Sequence, residues 1–274
     1  MFWGFQPLYW ALFPDTDSYV MLFVRIVLSA LFSVLLLALT HRAHELKELF
    51  RNRAIMKYLA PAALFLFFDW AVFIVAVNSG HVLDCSLGYY INPLILFGFG
   101  VLIYKESCSK LQLISLCVAA VGVIISTVAY GDFPWLALVI AFNWSIYAML
   151  KKNVPIDGVL SIAAETLMMT PVALILLFVF KRPELMSASG IEIPLLLGSG
   201  IVTALPMFIF SDCVSRLPLI IMCFGQYLGP TFNLICGVIM HETFSRSEIV
   251  SFVFFISAVI LFTVGEMRMG KIKD

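Results

Sequence analysis

Three ionisable side chains stand inside long apolar stretches of the chain: Arg25, Asp69 and Glu165. An ionised group near the centre of a bilayer costs at least about 2.5 kcal/mol, so each needs a partner or a water-filled cavity. A fixed cation suits an anionic or dipolar solute, whereas a desolvated carboxyl group suits a proton or a cation. We therefore predict that all three bind solute, with Arg25 and Glu165 facing one another; structural ion pairs, or snorkelling of Arg25 to lipid headgroups, are the alternatives.

Uncharged polar and aromatic side chains lie at depths compatible with these charges. An apolar pocket with a few converging polar groups suits a small amphipathic solute, although interhelical hydrogen bonds and aromatic packing explain the same residue types. Proline interrupts helical hydrogen bonding and provides either a hinge or a packed kink, here at Pro93 and Pro230. The predicted lining residues are Trp70, Tyr90, Asn92, Trp144, Tyr147, Gln226 and Tyr227.

The elements that must hold these residues are membrane-spanning helices. Of the 274 residues 62% are hydrophobic and 12% are charged, whereas soluble domains carry about 25% charged residues. A spanning helix needs about 20 apolar residues, and blocks this long and evenly apolar are helices because lipid leaves no other partner for backbone amides. We predict an all-α integral membrane protein with ten spans, at 1–13, 19–39, 58–77, 83–104, 112–128, 133–150, 159–180, 193–214, 217–240 and 249–264.

The distribution of basic residues predicts the orientation. Cytoplasmic links carry an excess of Lys and Arg, so both termini are expected in the cytoplasm of a bacterial inner membrane. The stretch HRAHELKELFRNRAIMK (41–57) is then an interfacial cytoplasmic helix against anionic lipid. The inside segments hold Arg42, Lys47, Arg51, Arg53, Lys57, Lys105, Lys110, Lys151, Lys152, Arg216, Arg268, Lys271 and Lys273, and the outside segments hold Lys181, Arg182 and Arg246.

The two halves of the chain repeat one motif. SLGYYINPLILFGFGVLIYKE and CFGQYLGPTFNLICGVIMHE share Gly, Tyr, Pro and Gly at one offset, from Gly88 to Gly100 and from Gly225 to Gly237. Five spans precede the second half of the chain, so the halves are expected to be inverted in the membrane, as in transporters that expose a central site alternately. We predict two repeats, 1–130 (spans 1–5) and 131–274 (spans 6–10). The four glycines are expected to allow close helix contact.

At these residues the chain resembles the EamA domains of the drug/metabolite transporter superfamily. AVNSGHVLDCSLGYYINP, the runs Ala164-Glu165-Thr166 and Met169-Thr170-Pro171, and FGQYLGPT are similar to the RarD group of predicted chloramphenicol-resistance permeases. The resemblance implies an exporter of a small amphipathic metabolite or drug. It also implies a longer first helix than span 1, which we predict to be truncated, and an uncharged amide where Asp69 stands.

Other classes of function find little support in the sequence. His241-Glu242 lacks the second histidine of H-E-x-x-H, and G-x-S-x-G is missing, so an enzyme is not expected. The six cysteines lack metal-site spacing, and the basic residues form no stripe for nucleic acid, so we expect neither a metal or cofactor nor a nucleic-acid partner. The expected partners are a small solute and the bilayer. Proton coupling, a passive channel, a sensor or scaffold, and a monomer or homodimer remain open.

Inverted repeats predict that the links after spans 4 and 9 lie on opposite sides of the membrane. Accessibility labelling of single cysteines placed in 105–110 and in 241–248 measures this directly. We expect each link to react with a membrane-impermeant reagent from a different side. Labelling of both links from one side would contradict the inverted arrangement.

Overall fold

The described part of the chain is helical throughout its regular structure. The computed structural model describes residues 6, 8–10, 12, 16–79, 81–131, 133–180, 192–229, 232 and 246–273. Its helices are α1 (Ser18–Leu39), α2 (Ala43–Arg51), α3 (Arg53–Asn78), α4 (Val82–Leu102), α5 (Lys110–Tyr130), α6 (Trp135–Lys152), α7 (Gly158–Phe180), α8 (Glu192–Arg216), α9 (Leu219–Gln226) and α10 (Arg246–Lys273).

Seven of these helices are long and apolar enough to cross a bilayer, namely segments of α1, α3, α4, α5, α7, α8 and α10 within the described residues. The multi-pass, all-α prediction is therefore confirmed. Predicted span 6 is the 18-residue α6, which ends in Lys151 and Lys152 and is not among the seven. Much of predicted span 1 and most of span 9 beyond α9 lie outside the described residues.

The helices form two compact units. Unit A contains α1, α2, α3, α7, α8 and the end of α6 from Ile146, and unit B contains α4, α5, α9, α10 and the beginning of α6 up to Ser145. Each unit thus combines helices from both predicted sequence repeats, so a core in either unit forms only after both halves of the chain are present.

Close backbone contact holds unit A together. A Cβ atom built on Gly158 of α7 would lie 2.0 Å from the carbonyl oxygen of Phe208 in α8, and one on Gly200 would lie 2.6 Å from the carbonyl carbon of Leu28 in α1. Beside the second contact, the Ser29 hydroxyl donates to the Gly200 carbonyl over 3.1 Å. Glycine therefore sets the separation of α1, α7 and α8, as small residues do in membrane bundles.

The amphipathic helix α2 packs on protein. It was predicted as an interfacial helix against lipid, and the structure confirms the helix but places its apolar face elsewhere. Leu46 and Leu49 are buried in a cluster with residues of α1, α3 and α7, whereas Phe50 is exposed. Arg42, just before α2, binds Glu45 and Asp157. These hydrogen bonds raise the pKa of Arg42 and lower that of Glu45.

In unit B the glycines of the repeated motif behave unequally. A Cβ atom on Gly88 would lie 3.0 Å from the Ala137 carbonyl oxygen of α6, so close contact is confirmed there. Among the described residues, no atom lies within 4 Å of a Cβ built on Gly225, so close contact at that position stays a prediction. Gly237 lies outside the described residues.

The end of the first motif caps another helix. After α4 the chain reverses direction at Lys105, whose φ of 55° lies in the left-handed region. The side chain of the next residue, Glu106, reaches the beginning of α9. Its two carboxylate oxygens accept hydrogen bonds from the backbone N–H groups of Leu219 and Ile220 over 2.8 and 2.9 Å. A Cβ on Gly100 would lie 2.9 Å from Glu106 Oε2. Because Gly100 has no side chain, it leaves room for the Glu106 carboxylate at the N-terminal end of α9, where the helix dipole is positive.

The contact at Gly158 predicts the effect of a methyl group there. We expect Gly158→Ala to lower the free energy of unfolding in detergent by about 1–3 kcal/mol, because Phe208 presents rigid backbone. The matched control is Gly98→Ala in α4, where no described atom lies within 4 Å of the new Cβ. That change should be neutral or stabilising by up to about 1 kcal/mol. Equal unfolding temperatures for both variants would contradict the packing.

Candidate functional site

Arg25 of α1 lies against aromatic rings. Its guanidinium carbon is 4.8 Å from the ring centroid of Trp70 on α3 and 5.8 Å from that of Trp10. Both distances fall within the range of cation–π attraction, which contributes about 2 kcal/mol where the cation is desolvated. The structure therefore brings together two residues that the sequence predicted, Arg25 and Trp70, and adds Trp10, which the sequence did not indicate.

Glu165 of α7 lies in a fully buried polar cluster. Lys151 forms an ion pair with Glu165 Oε1, and their side chains are 1% and 0% exposed. The Ser161 hydroxyl donates to the same oxygen over 3.1 Å, and the Tyr147 hydroxyl donates to Oε2 over 3.0 Å. We call Tyr147, Lys151, Ser161 and Glu165 the buried quartet. Both carboxylate oxygens are satisfied, as burial of a charge requires.

The two helices supply the quartet in register. Tyr147 and Lys151 are four residues apart on α6, and Ser161 and Glu165 are four residues apart on α7. Residues at this spacing lie on one helix face, so each helix presents one two-residue ladder to the other. The described partners of Glu165 are therefore Lys151, Ser161 and Tyr147, and the facing of Arg25 and Glu165 stays a prediction.

The sequence did not indicate that Lys151 is buried. It was counted among the cytoplasmic link residues because Lys152 follows it and span 6 was ended at Leu150. In the structure α6 continues to Lys152, and Lys151 is 0% exposed. The signal that could have found it is the spacing of Lys151 four residues after Tyr147, together with Ser161 four residues before Glu165.

Asp69 belongs to the same unit. It lies on α3 beside Trp70, is 4% exposed and acts electrostatically on Tyr147 of the quartet. Unit A therefore gathers the three charged residues that the sequence predicted, Arg25, Asp69 and Glu165, together with Lys151 as a fourth. The set has two cations and two carboxylates, which is the balanced composition that a low-dielectric interior favours.

The remaining predicted residues lie in unit B. The Trp144 indole N–H donates to Gln226 Oε1 over 2.8 Å, and within the described part of the chain Gln226 Nε2 has no hydrogen-bond partner. Asn92 is 2% exposed, and neither polar atom of its carboxamide has a partner among the described residues. The unused donors of Asn92 and Gln226 and the unused acceptor of Asn92 are the groups that a polar solute or a water molecule satisfies.

The two tyrosines of the repeated motif meet each other. The Tyr227 hydroxyl donates to the backbone carbonyl of Tyr90 over 3.2 Å. The ring of Phe255 on α10 stacks on both, with centroid distances of 4.3 Å to Tyr90 and 5.3 Å to Tyr227. Tyr227 is 1% exposed, so both tyrosines act first as packing groups between α4, α9 and α10.

The structure describes one of the two predicted hinges, Pro93, and not the other, Pro230. Pro93 lies inside α4, which continues through it. Pro230 lies outside the described residues, but α9 ends at Gln226, four residues before it. Because proline has no N–H group, residue 230 cannot donate the helical hydrogen bond that the Gln226 carbonyl would otherwise accept, and α9 ends at Gln226 in agreement with this.

In the described part of the chain, no group of three or more His, Cys, Asp or Glu side chains could hold a metal ion.

Comparison with known proteins decides the family. A model of the EamA-like transporter family matches residues 1–128. The chain is 36% identical over 275 residues to the uncharacterized transporter YojE of Bacillus subtilis, covering 98% of this chain and 92% of YojE. The chain belongs to the EamA-like transporter family. The predicted resemblance is thereby confirmed.

Proteins named RarD are also similar over nearly the whole chain. The RarD protein of Streptomyces exfoliatus is 32% identical over 98% of this chain and 87% of its own length. That of Escherichia coli K12 is 30% identical over 96% and 90%. A crystal structure of another protein superposes with a TM-score of 0.73, covering 98% of this chain and 94% of that one at 13% identity, which shows the shared fold alone.

The buried quartet predicts a non-additive effect on stability. Lys151→Met removes the cation that compensates Glu165, so Glu165 must either stay a buried charge or bind a proton on folding, and the free energy of unfolding in detergent should fall by up to about 3–5 kcal/mol. Lys151→Met combined with Glu165→Gln removes both charges and should recover most of that loss. The measurement is thermal or denaturant unfolding at pH 7. Additive losses in the double variant would show that the two side chains do not form a pair.

Proposed function

We propose that this protein is a secondary transporter that exports a small amphipathic metabolite or drug, and that it is not an enzyme. The observation that carries the proposal is the set of buried or half-buried charged residues on membrane-spanning helices of unit A: Arg25 over Trp70, Asp69, and Glu165 with Lys151. Charges within spans mark solute and ion pathways because lipid selects against them elsewhere. Membership of a transporter family agrees with this function.

We further propose the ten-span arrangement of two inverted repeats, 1–130 and 131–274. Helix packing supports it, because equivalent spans of the two repeats pack on each other: α1 on α7, α4 on α9 and α5 on α10. The contact of α1 with α8 has its counterpart in the contact of α7 with α3. A pseudo-two-fold axis between the repeats produces such reciprocal pairs.

The proposed topology places both termini in the cytoplasm of a bacterial inner membrane. Four contacts support the alternation of the spans, since each joins segments expected on the cytoplasmic side. Arg42 binds Asp157, Glu106 caps α9, the Gln112 amide donates to Glu266 over 2.7 Å, and Asp212 accepts from the Gly158 N–H over 2.7 Å. An odd number of spans between any of these pairs would separate them by the membrane.

The solute that suits these residues is small and has an apolar body with at least one polar or anionic group. Arg25 supplies a cation that is held by rings and is therefore preorganised, and Trp70, which is 9% exposed, adds an apolar wall. Within unit B, Asn92 and Gln226 offer uncharged donors and an acceptor. Tyr90, Asn92, Gln226 and Tyr227 remain proposed binding residues, with Pro93 and Pro230 as proposed hinges, whereas Tyr147 belongs to the fully buried quartet.

A passive channel or facilitator is the second candidate. The same helices could line a pore, and the buried ion pair would then have a structural role alone. Collapse of the proton gradient separates the two functions. A coupled transporter drives net flux against a solute gradient and stops doing so when the proton gradient is collapsed, whereas flux through a passive channel follows the solute gradient and is unchanged. A sensor or scaffold is a third candidate and predicts binding of a soluble protein partner without any solute flux.

Efflux profiling of cells that express wild type or Arg25→Ala tests the proposed function. We expect a solute whose efflux falls about tenfold or more in Arg25→Ala, since loss of a desolvated cation contact of about 1.4 kcal/mol corresponds to a factor of ten. Arg25→Lys should retain part of the activity, because it keeps the charge and loses the planar stacking group.

The matched control is Arg51→Ala at the exposed end of α2, which should transport as wild type at equal protein levels. If wild type exports no solute, the export function is refuted. If Arg25→Ala exports every solute as wild type does, Arg25 is not a solute-binding residue.

A further inference from the structure

The buried quartet has a property that a solute-binding pocket lacks. The side chains of Lys151 and Glu165 are 1% and 0% exposed, and Tyr147 and Ser161 are 0% exposed. Packing this tight leaves no room for a solute between the four side chains. The one ligand that can enter without displacing any of them is a proton.

We propose that Glu165 is the proton-binding site of this transporter and that Lys151 is its internal counter-cation, released from Glu165 when the proton binds. This inference rests on the proposed function, since it identifies the coupling residue of that function. The sequence left three possibilities, Asp69, Glu165 or no coupling, and did not indicate a lysine partner.

The hydrogen bonds explain why one proton would rearrange the site. In the unprotonated state Glu165 accepts from three donors, the Lys151 ammonium, Ser161 and Tyr147. A proton that forms an O–H bond on Glu165 cancels the carboxylate charge and turns one acceptor oxygen into a donor. Lys151 would then be a buried cation without a counter-charge, which is strongly unfavourable, so it must leave the quartet.

Lys151 has a second carboxylate to move towards. Asp212 of α8 lies within electrostatic range of Lys151, its side chain is 43% exposed, and its Oδ1 lies 3.7 Å from Arg216 Nη2. Lys151 is the next-to-last residue of α6, so its flexible stem can carry the ammonium from the buried quartet to the water boundary. Asp212 also accepts from the N–H of Gly158, the first residue of α7. Arrival of Lys151 there would link the protonation of Glu165 to the contact between α7 and α8.

The other charged groups of unit A define what surrounds Glu165. On α6 and α7 these are Lys151 and the hydroxyls of Tyr147 and Ser161. Asp69 on α3 acts on Tyr147, and Asp212 on α8 acts on Lys151. Arg25 on α1 lies over Trp70, and α2 contributes Glu45, which is bound to Arg42 near the beginning of α7. Among the described groups, Lys151 is the cation in direct contact with Glu165.

Infrared difference spectroscopy of the purified full-length protein, between pH 8 and pH 5, measures the proton on a carboxyl group directly. We expect a protonated-carboxyl C=O band to appear at low pH in wild type and to be lost in Glu165→Gln. The band should already be present near neutral pH in Lys151→Met, where no counter-cation holds Glu165 ionised. Glu266→Gln, a carboxyl-to-amide change in unit B, is the matched control and should keep the band.

Glu165→Gln alone leaves Lys151 unpaired and could fail to fold, so the double variant Lys151→Met/Glu165→Gln provides the same test with both charges removed. Reconstituted in vesicles, wild type should show solute flux that increases several-fold with an imposed pH gradient. In the double variant this increase should be abolished.

The outcomes separate the proton site from the function on which it rests. A band that persists unchanged in both variants lacking Glu165 overturns the assignment, even if solute flux is proton-driven. A band that behaves as expected in a protein with no proton-driven flux supports proton binding at Glu165 and refutes coupled export. A pH-driven flux that survives in the double variant also overturns the assignment.

Discussion

The constraint on which this structure depends is that lipid offers no partner to a charge. Lys151 and Glu165 can remain ionised inside a bundle of apolar helices only while each stays in contact with the other, and the hydroxyls of Tyr147 and Ser161 complete the shell around the carboxylate. The contact in turn fixes the register of α6 against α7, because a displacement of one residue would rotate both ladders out of reach. The position of one ion pair therefore determines how two helices meet.

Close packing makes the same unit intolerant of small shifts. Gly158 and Gly200 bring the backbones of α1, α7 and α8 into direct contact, and a packed interface of this kind has discrete arrangements and little continuous freedom. Unit B is built on aromatic rings instead, with Phe255 stacked on two tyrosines and Phe224 stacked on Phe262. The two units thus use different packing solutions although each draws helices from both repeats.

Much of the fold was predictable from the sequence, because apolar segment length follows from bilayer thickness. The beginnings and ends of α1 and α7 agree with the predicted spans to within one residue. The site was less predictable. Hydropathy marks Lys151 as the end of a span, and only the fold reveals that Glu165 neutralises it. The sequence likewise did not indicate that α2 packs Leu46 and Leu49 on protein, since amphipathicity does not distinguish a lipid surface from a protein surface.

The cap on α9 has a consequence for the integrity of the chain. Glu106 belongs to the first copy of the motif, yet the helix end that it stabilises lies just before the second copy, which begins at Cys223. The first copy of the motif thus joins the two halves of the chain, because its glutamate caps a helix that belongs to the second half. A polypeptide carrying the second half alone would begin α9 without this carboxylate, and another polypeptide would have to provide it.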